Sequence, residues 1–407
     1  MSGLTIRRQR LLFAALYFTE GAPVGYIWWA LPTQLRSAGV PVPEITMLSS
    51  LLVLPWGLKF LWAPLIDVLT TNRWTLRHWI ISAQCLMATS LSSLFFFDYA
   101  SSFSLMAAFL LLHAVAAATQ DVGIDALAIR TVPSNERGRV NGWMQAGMLV
   151  GRSLFGGASL VILSLLDNAF VLAALIVAII ASATALALVP LPSGSAIARE
   201  EGDARFGHFF QRLKSVLGNR TTWLGFAVAL VGGAAFEGTG AVAGPFLIDR
   251  GFSHHTVGTF FSLPGVLAMI AGSLVGGFVA DRLNKPAAVS VFAMYIAAVV
   301  MAIGFWDVYA EGKNDAFILM LTLLYFGIGL FTAASYAFFM EITEPRLAAT
   351  QFSAYMGVTN LCESWSALLI GRLIGGFGYP VAFISMSLIS LSVLPALRVF
   401  KQEKHAL

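Results

Sequence analysis

The sequence is a succession of apolar runs, each about as long as a lipid bilayer is thick. About twelve such runs are present, and a membrane-spanning helix needs roughly 20 predominantly apolar residues. Because the runs are continuous, they do not fit an outer-membrane barrel, whose strands alternate apolar and polar side chains. Of the 407 residues, 58% are hydrophobic and 11% charged, whereas a soluble domain is about 25% charged. The chain is therefore predicted to be an all-α polytopic membrane protein.

The predicted spans form two groups of six on either side of a charged segment. Residues 1–192 are predicted to be an N-terminal six-helix half, 193–220 a cytoplasmic linker and 221–407 a C-terminal six-helix half. In the linker, apolar residues recur at helical spacing among basic ones from Arg205 to Leu217. This pattern predicts a short amphipathic helix on the inner leaflet, with a disordered linker as the alternative. The twelve spans are predicted at roughly 11–36, 44–66, 78–98, 103–130, 138–166, 169–189, 221–248, 256–280, 287–307, 315–341, 349–375 and 379–400.

The basic residues predict the orientation of these spans. If the N-terminus is inside, 19 of the 25 Lys and Arg residues lie in cytoplasmic segments and only three in outer loops. Cytoplasmic segments of membrane proteins carry this excess, so both termini are predicted to be inside. The same bias accounts for the net charge of +4 by contact with the bilayer, without a nucleic-acid partner.

The two groups of spans echo each other in sequence. Glu20 and Glu237 each stand early in a span that has small residues and a late proline. Asp67 and Asp281 each end the following span. Two similar six-helix halves around a site near the bilayer midplane are the architecture of major facilitator transporters.

A short motif between the eighth and ninth spans supports this architecture. The segment Gly276–Lys285, GGFVADRLNK, resembles the loop motif of the major facilitator superfamily, with Asn284 where glycine is usual. Gly277 is expected to allow close helix packing, and Asp281 to cap a neighbouring helix and pair with a base. The residues predicted to form a cytoplasmic gate are Asp67, Asp125, Arg130, Arg137, Gly277, Asp281 and Arg282.

Longer segments resemble a narrower branch of that superfamily, the AmpG-type permeases. The segments that carry the resemblance are GAPVGYIWWALPTQLRSAGV, LPWGLKFLWAPLID, QDVGIDALAIR, ERG and AATQFSAY, which occur in both halves. The siderophore permeases of the RhtX and FptX type are similar. The resemblance implies inward, proton-driven transport of a medium-sized polar solute, such as a muropeptide or a siderophore, across a bacterial inner membrane. Because AmpG proteins that import muropeptides are usually longer, the length of this chain favours the siderophore-type branch.

Four charged residues lie deep within the predicted spans. At about 1.5 Å per residue, Glu20, Lys59 and Asp121 fall at similar depths, and Arg152 lies near the middle of its span. A buried unpaired charge is far costlier than a paired one, so these four are predicted to form one network that faces a central cavity. A purely structural set of ion pairs is the alternative.

Proton coupling requires a carboxylate that gains and loses a proton during transport. The candidates are Glu20, Asp121, Glu237 and Glu363. The last two have no obvious basic partner at their depth and are predicted to be protonated at rest. Arg152 is the expected anchor for an anionic group of the solute.

Three aromatic residues follow Glu20 and raise two interpretations. Tyr26, Trp28 and Trp29 fit either an aromatic belt at the outer membrane surface or a stacking wall for a ring-bearing solute. Gln120 is the polar candidate for the same wall.

The sequence contains no motif typical of an enzyme or an ATP-driven pump. It lacks a Ser-His-Asp set, a metal-ligand spacing and a phosphate-binding loop, and Cys85 and Cys362 both lie in apolar runs. No metal and no cofactor are predicted, and the expected partners are a small-molecule solute, protons and the lipid bilayer, with the protein a monomer. The alternatives are a drug or siderophore exporter on the same fold and, more remotely, a membrane enzyme or receptor.

Overall fold

All regular secondary structure in the described part of the chain is helical in the computed structural model. The predicted linker helix lies outside the described residues, as do the side chains of Asp67, Arg137 and Asp281. The structure describes residues 5–71, 73–96, 102–133, 136–163, 167–189, 218–282, 284–309, 312, 314–343 and 348–405.

The helices of the first half follow the predicted spans, and two of those spans include a π-helical stretch. The helices are α1 (Ile6–Gly25), continued by π-helical Tyr26–Ala30 and α2 (Leu31–Ser37); α3 (Val42–Leu58) and α4 (Ala63–Leu69), joined by a 3₁₀ turn at Lys59–Leu61; α5 (Leu76–Ser92); α6 (Phe103–Thr131); α7 (Arg137–Arg152), continued by π-helical Ser153–Ala158 and α8 (Ser159–Ile162); and α9 (Asn168–Leu188).

The helices of the second half also occupy the predicted positions. They are α10 (Arg220–Val231), α11 (Ala234–Asp249), α12 (His254–Ser262), α13 (Pro264–Arg282), α14 (Lys285–Tyr309), α15 (Ala316–Ile342), α16 (Ala348–Leu391) and α17 (Leu394–His405).

Eight helical segments among the described residues are long and apolar enough to cross a membrane. One of them, Gln351–Phe400, has 50 residues and is interrupted at Gly378, whose φ is 80°. A straight helix of that length would measure about 75 Å, more than twice the roughly 30 Å hydrocarbon core. The prediction of an all-helical polytopic membrane protein is confirmed, while the number of twelve spans and their orientation stay predictions.

The chain divides into two compact units that exchange segments between the sequence halves. Unit 1 contains Met1–Val40 and Leu58–Ile197, together with Phe252–Leu263 from the second half of the sequence. Unit 2 contains Ala198–Gly251 and Pro264–Leu407, together with Pro41–Gly57 from the first half. Each of the predicted spans 44–66 and 256–280 therefore contributes residues to both units.

Unit 1 is built on a close pairing of α1 with α7. A Cβ atom on Gly21 would lie 2.1 Å from the Met148 carbonyl oxygen, and one on Gly151 would lie 2.4 Å from the Phe18 carbonyl oxygen. Glycine at both positions lets the two backbones touch, as small residues do in membrane helix pairs. Further pairings in this unit include those of α5 with α6 and of α5 with α9.

Unit 2 has similar pairings between its own helices, and α13 adds a further one. Here α11 packs against α16, α14 packs against α15 and α16, and α13 packs against α15. The expected close approach at Gly277 is not observed, because a Cβ there would meet no atom of the described residues within 4 Å. The backbone contacts of α13 occur at Gly272 and Gly276, where a Cβ would lie 2.0 Å from the Phe326 oxygen and 2.6 Å from the Leu330 oxygen. The glycine one position earlier in the motif therefore makes the helix contact.

A buried ion pair fastens one end of unit 2. Arg250, which follows α11, contacts Asp307 near the end of α14 through two nitrogens, each 2.5 Å from a carboxylate oxygen. The Asp307 side chain is fully buried. The guanidinium also lies over the rings of Phe246 and Tyr379, and the Tyr379 hydroxyl donates to Asp249 at 2.8 Å. This cluster holds together three segments that are distant in sequence.

The packing of α12 inside unit 1 leads to a stability prediction. A Cβ on Gly157 would lie 2.2 Å from the Ser262 backbone nitrogen. We expect Gly157→Ala to force these segments apart and to lower the midpoint of thermal unfolding of the purified protein. Gly142→Ala is the matched control, because a Cβ there meets no described residue within 4 Å and alanine favours a helix by about 1 kcal/mol over glycine. Equal midpoints for the two variants would contradict the tight contact.

Candidate functional site

The centre of unit 1 contains an ion pair between two predicted site residues. Lys59 lies on the 3₁₀ turn between α3 and α4, five residues before Pro64 in the sequence. Asp121 lies on α6. The Lys59 Nζ is 2.5 Å from Oδ2 of Asp121, and the Asp121 side chain is 8% exposed. The interruption of the helix therefore positions the ammonium group where the carboxylate needs a counter-ion.

Tyr17 links this ion pair to the second acid of α6. Its hydroxyl donates to Asp125 Oδ1 at 2.6 Å and lies 3.4 Å from Asp121 Oδ1. Glu20, one turn further along α1, lies within electrostatic range of both Tyr17 and Lys59. The sequence interpretation missed Tyr17, although a tyrosine three residues before a membrane-embedded acid shares its helical face. We call Tyr17, Lys59, Asp121 and Asp125 the carboxylate cluster.

The charges of the carboxylate cluster do not balance. Two carboxylates share one ammonium group and one phenol hydroxyl, and Glu20 is a third acid within electrostatic range of Tyr17 and Lys59. Like charges at this spacing inside a membrane disfavour full ionisation of both acids, so the cluster is suited to hold one proton. The sequence assigned Asp125 to the cytoplasmic gate. In the structure, Asp125 accepts a hydrogen bond from the Tyr17 hydroxyl, which also lies near Asp121.

Arg152 stands at the end of α7 and is directed onto an aromatic ring. Its Cζ lies 5.6 Å from the centroid of the Trp29 ring. Both residues adjoin or belong to π-helical stretches, Ser153–Ala158 and Tyr26–Ala30. Of the four charges predicted to form one network, Lys59 and Asp121 thus form an ion pair, and Arg152 rests on Trp29.

The other predicted wall residues differ in their surroundings. Tyr26 is fully buried and its hydroxyl donates to Asn168 at 3.0 Å, so its ring does not face open space. Trp28 is half-buried. Gln120 is fully buried, and neither its amide nitrogen nor its oxygen makes a hydrogen bond within the described part of the chain.

In unit 2 the predicted acids lie beside a broken helix. The first span of this half is interrupted between α10 and α11 at Gly232 and Gly233. The carbonyl of Gly232 accepts a hydrogen bond from Ser390, and that of Leu230 accepts one from the Trp365 indole. These bonds satisfy carbonyls that the break frees from the helix, as membrane interiors require.

Both acids of unit 2 are half-buried near this break. Glu237 stands one turn after it on α11, and Glu363 stands on α16. Cys362 lies within electrostatic range of both carboxyl groups and beside the Gly233 backbone. The structure therefore brings Glu237 and Glu363 around the same break in the helix.

The predicted cytoplasmic gate is only partly described by side-chain contacts. Arg130 is half-buried, and Arg282 is exposed with its Cζ 3.9 Å from the centroid of the Phe278 ring. Two ion pairs near the ends of helices were not predicted, although the ERG segment contains one of the acids. They are Arg10 with Glu136 at 2.6 Å and Lys285 with Glu341 at 2.8 Å.

Comparison with known proteins identifies the family. Residues 13–367 match the family model of the Major Facilitator Superfamily. The chain belongs to this superfamily. The crystal structure of a D-xylose–proton symporter shares its fold, with a TM-score of 0.74 at 11% identity, covering 95% of this chain and 98% of the other.

Two relatives place this major facilitator protein more narrowly. An uncharacterized protein of Haemophilus influenzae is 26% identical over 402 residues, which cover 93% of this chain and 91% of the relative. The anhydromuropeptide permease of Escherichia coli K12 is 23% identical over 377 residues, which cover 91% of this chain and 75% of the permease. The resemblance to AmpG-type permeases is confirmed.

Membership of the superfamily decides the class of protein. This major facilitator protein is a polytopic membrane transporter of small molecules and not an enzyme. The described residues contain no group of three or more His, Cys, Asp or Glu side chains that could hold a metal ion.

Proposed function

We propose that the protein is a proton-coupled permease of a bacterial inner membrane that takes up a medium-sized polar solute by alternating access. In this proposal twelve spans form two six-helix halves, residues 1–192 and 221–407, with both termini inside. The carboxylate cluster is the observation that carries the proposal. A cluster in which the acids outnumber the one ammonium group has a place for the proton that a symporter carries with its solute.

Within the cluster, Asp125 is the proposed proton carrier. Asp121 has Lys59 as its counter-ion at 2.5 Å, whereas Asp125 accepts a hydrogen bond from the neutral Tyr17 hydroxyl. When Asp125 takes up a proton, the charges of Lys59 and Asp121 balance, and Glu20 is the acid that remains within electrostatic range of Lys59. A neutral cluster costs less to expose to the low dielectric of the membrane interior, which favours the change of state only when the proton is bound.

The proposed solute is an anhydromuropeptide or a molecule of similar size and polarity. The similarity to the Escherichia coli anhydromuropeptide permease supports this class. A siderophore is the second candidate, supported by the resemblance of the sequence to the RhtX and FptX type.

Transport in proteoliposomes tests the proposal. We expect purified protein to accumulate a labelled anhydromuropeptide or ferric siderophore only when the pH gradient drives protons in the same direction. Solute movement against the direction of the proton flow would support the exporter instead. Transport that is unaffected by collapse of the gradient would contradict proton coupling.

Asp125→Asn is expected to abolish the alkalinisation that accompanies solute uptake, because the amide cannot exchange a proton. Solute-induced alkalinisation is measured with a pH electrode in a weakly buffered vesicle suspension, and solute binding is measured separately by thermal shift. Glu363→Gln is the comparison, since the sequence also made Glu363 a candidate proton carrier. Coupling that persists in Asp125→Asn and disappears in Glu363→Gln would move the proton site to unit 2.

A further inference from the structure

Arg152 has a positively charged guanidinium with a buried donor, Nε, that makes no hydrogen bond to the described residues. Its guanidinium lies over Trp29 with 5.6 Å between Cζ and the ring centroid. The N–H groups of a guanidinium lie in its own plane, so contact of its face with an aromatic ring leaves them to donate to an oxyanion.

Trp29 is itself held firmly in one orientation. The indole is 7% exposed and stacks on Phe261, with 5.0 Å between centroids and 12° between planes. Gly156 provides the space for the indole, because a Cβ there would lie 2.7 Å from Trp29 Cε3. Trp29 and Gly156 both belong to π-helical stretches, which occur frequently at functional sites.

We propose that Trp29 is the positioning residue of an anion site, in which the guanidinium of Arg152 binds a carboxylate or other oxyanion group of the solute. The fork of arginine matches a carboxylate through two parallel hydrogen bonds. An arginine that is already oriented loses little freedom when the ligand binds, so the platform of Trp29 and Phe261 increases affinity. This inference rests on the proposed function and adds that the solute must carry an oxyanion group such as a carboxylate.

Ligand binding to the purified full-length protein tests this site. The probes are an anhydromuramyl tripeptide with free carboxylates and the same molecule with its carboxylates converted to amides, each titrated in a thermal-shift assay. We expect the acid to bind at least about tenfold more tightly than the amide, as a charge-assisted pair of hydrogen bonds does. Arg152→Gln is expected to bring the two affinities together, and Trp29→Leu to reduce the acid-to-amide ratio several-fold.

Matched variants separate positioning from a merely structural role. Trp29→Phe retains a ring beneath the guanidinium and is expected to retain most of the ratio. Trp223→Leu removes an exposed tryptophan and is expected to leave the ratio unchanged. If Trp29→Leu lowers the unfolding temperature but leaves the ratio as in the wild type, Trp29 only supports the fold and the inference is overturned.

The affinities of the wild-type protein distinguish this inference from the proposed function. Equal binding of acid and amide would overturn the anion site while a transporter of this solute remained supported. Binding of neither probe would overturn the proposed solute class, and the anion site proposed for that solute would fall with it.

Discussion

Replacing Asp121 with asparagine is expected to lower solute uptake by about 100-fold or more. The Lys59 ammonium lies 2.5 Å from the Asp121 carboxylate in a cluster that the surrounding helices largely bury. Removal of one member of a buried ion pair costs about 3–5 kcal/mol, and Asp121→Asn leaves Lys59 with only the electrostatic attraction of Asp125 and Glu20. Since about 1.4 kcal/mol corresponds to a factor of ten, that cost is enough to depopulate the transporting states. The measurement is the initial rate of uptake into proteoliposomes that contain equal amounts of protein.

A second substitution distinguishes a functional carboxylate from a structural one. In the double variant Asp121→Asn with Lys59→Met, the ammonium group that has lost its ion-pair partner is removed as well. We expect this variant to recover the unfolding temperature of the wild type without recovering uptake. If the double variant transports normally, the ion pair only supports the fold. Normal uptake by the single variant would remove Asp121 from the mechanism.

Replacing Asp307 with alanine is expected to lower the free energy of unfolding by about 3–5 kcal/mol. The fully buried Asp307 side chain contacts two nitrogens of Arg250, each at 2.5 Å. Without the carboxylate, the partly buried guanidinium has lost its counter-ion beside the rings of Phe246 and Tyr379. The effect is measured by thermal unfolding of the purified protein in detergent, at a fixed detergent concentration.

The control for this prediction removes both charges together. A double variant with Arg250→Met and Asp307→Leu replaces the ion pair by apolar side chains of similar volume, and such replacements are often neutral or stabilising. We expect it to unfold close to the wild-type temperature. If Asp307→Ala is as stable as the wild type, the ion pair contributes nothing to unit 2.

The sequence predicted the ion pair of the carboxylate cluster but not the hydrogen bonds that connect it to Tyr17 and Asp125. Lys59 and Asp121 were matched by depth, because residue number along a helix converts directly into distance along the membrane normal. Depth says nothing about which way a side chain points around the helix axis. Tyr17 was therefore missed, and Asp125 was assigned to the gate on the basis of its distance from the inner surface.

The glycines of the loop motif show that the sequence also did not predict the rotation of this helix about its axis. The motif correctly located a contact of the span that ends at Arg282, but the glycine was wrong by one residue. Gly276 faces the Leu330 backbone, while a Cβ on Gly277 would meet no atom within 4 Å in the part of the chain that the structure describes. One residue along a helix turns the side-chain direction by about 100°, and a loop motif alone cannot resolve that difference.

The sequence by itself determined the class of this protein. Its apolar runs require helices because a membrane offers the backbone no other hydrogen-bond partner, and its motifs point to the major facilitator superfamily and the AmpG-type permeases. Only the tertiary structure decided which charges meet. It joined Tyr17 to two acids, laid Arg152 on Trp29, and placed Phe252–Leu263 in unit 1 and Pro41–Gly57 in unit 2. The reason is physical: hydropathy is a property of each segment, whereas helix rotation and the choice of neighbour depend on the packing of all segments together.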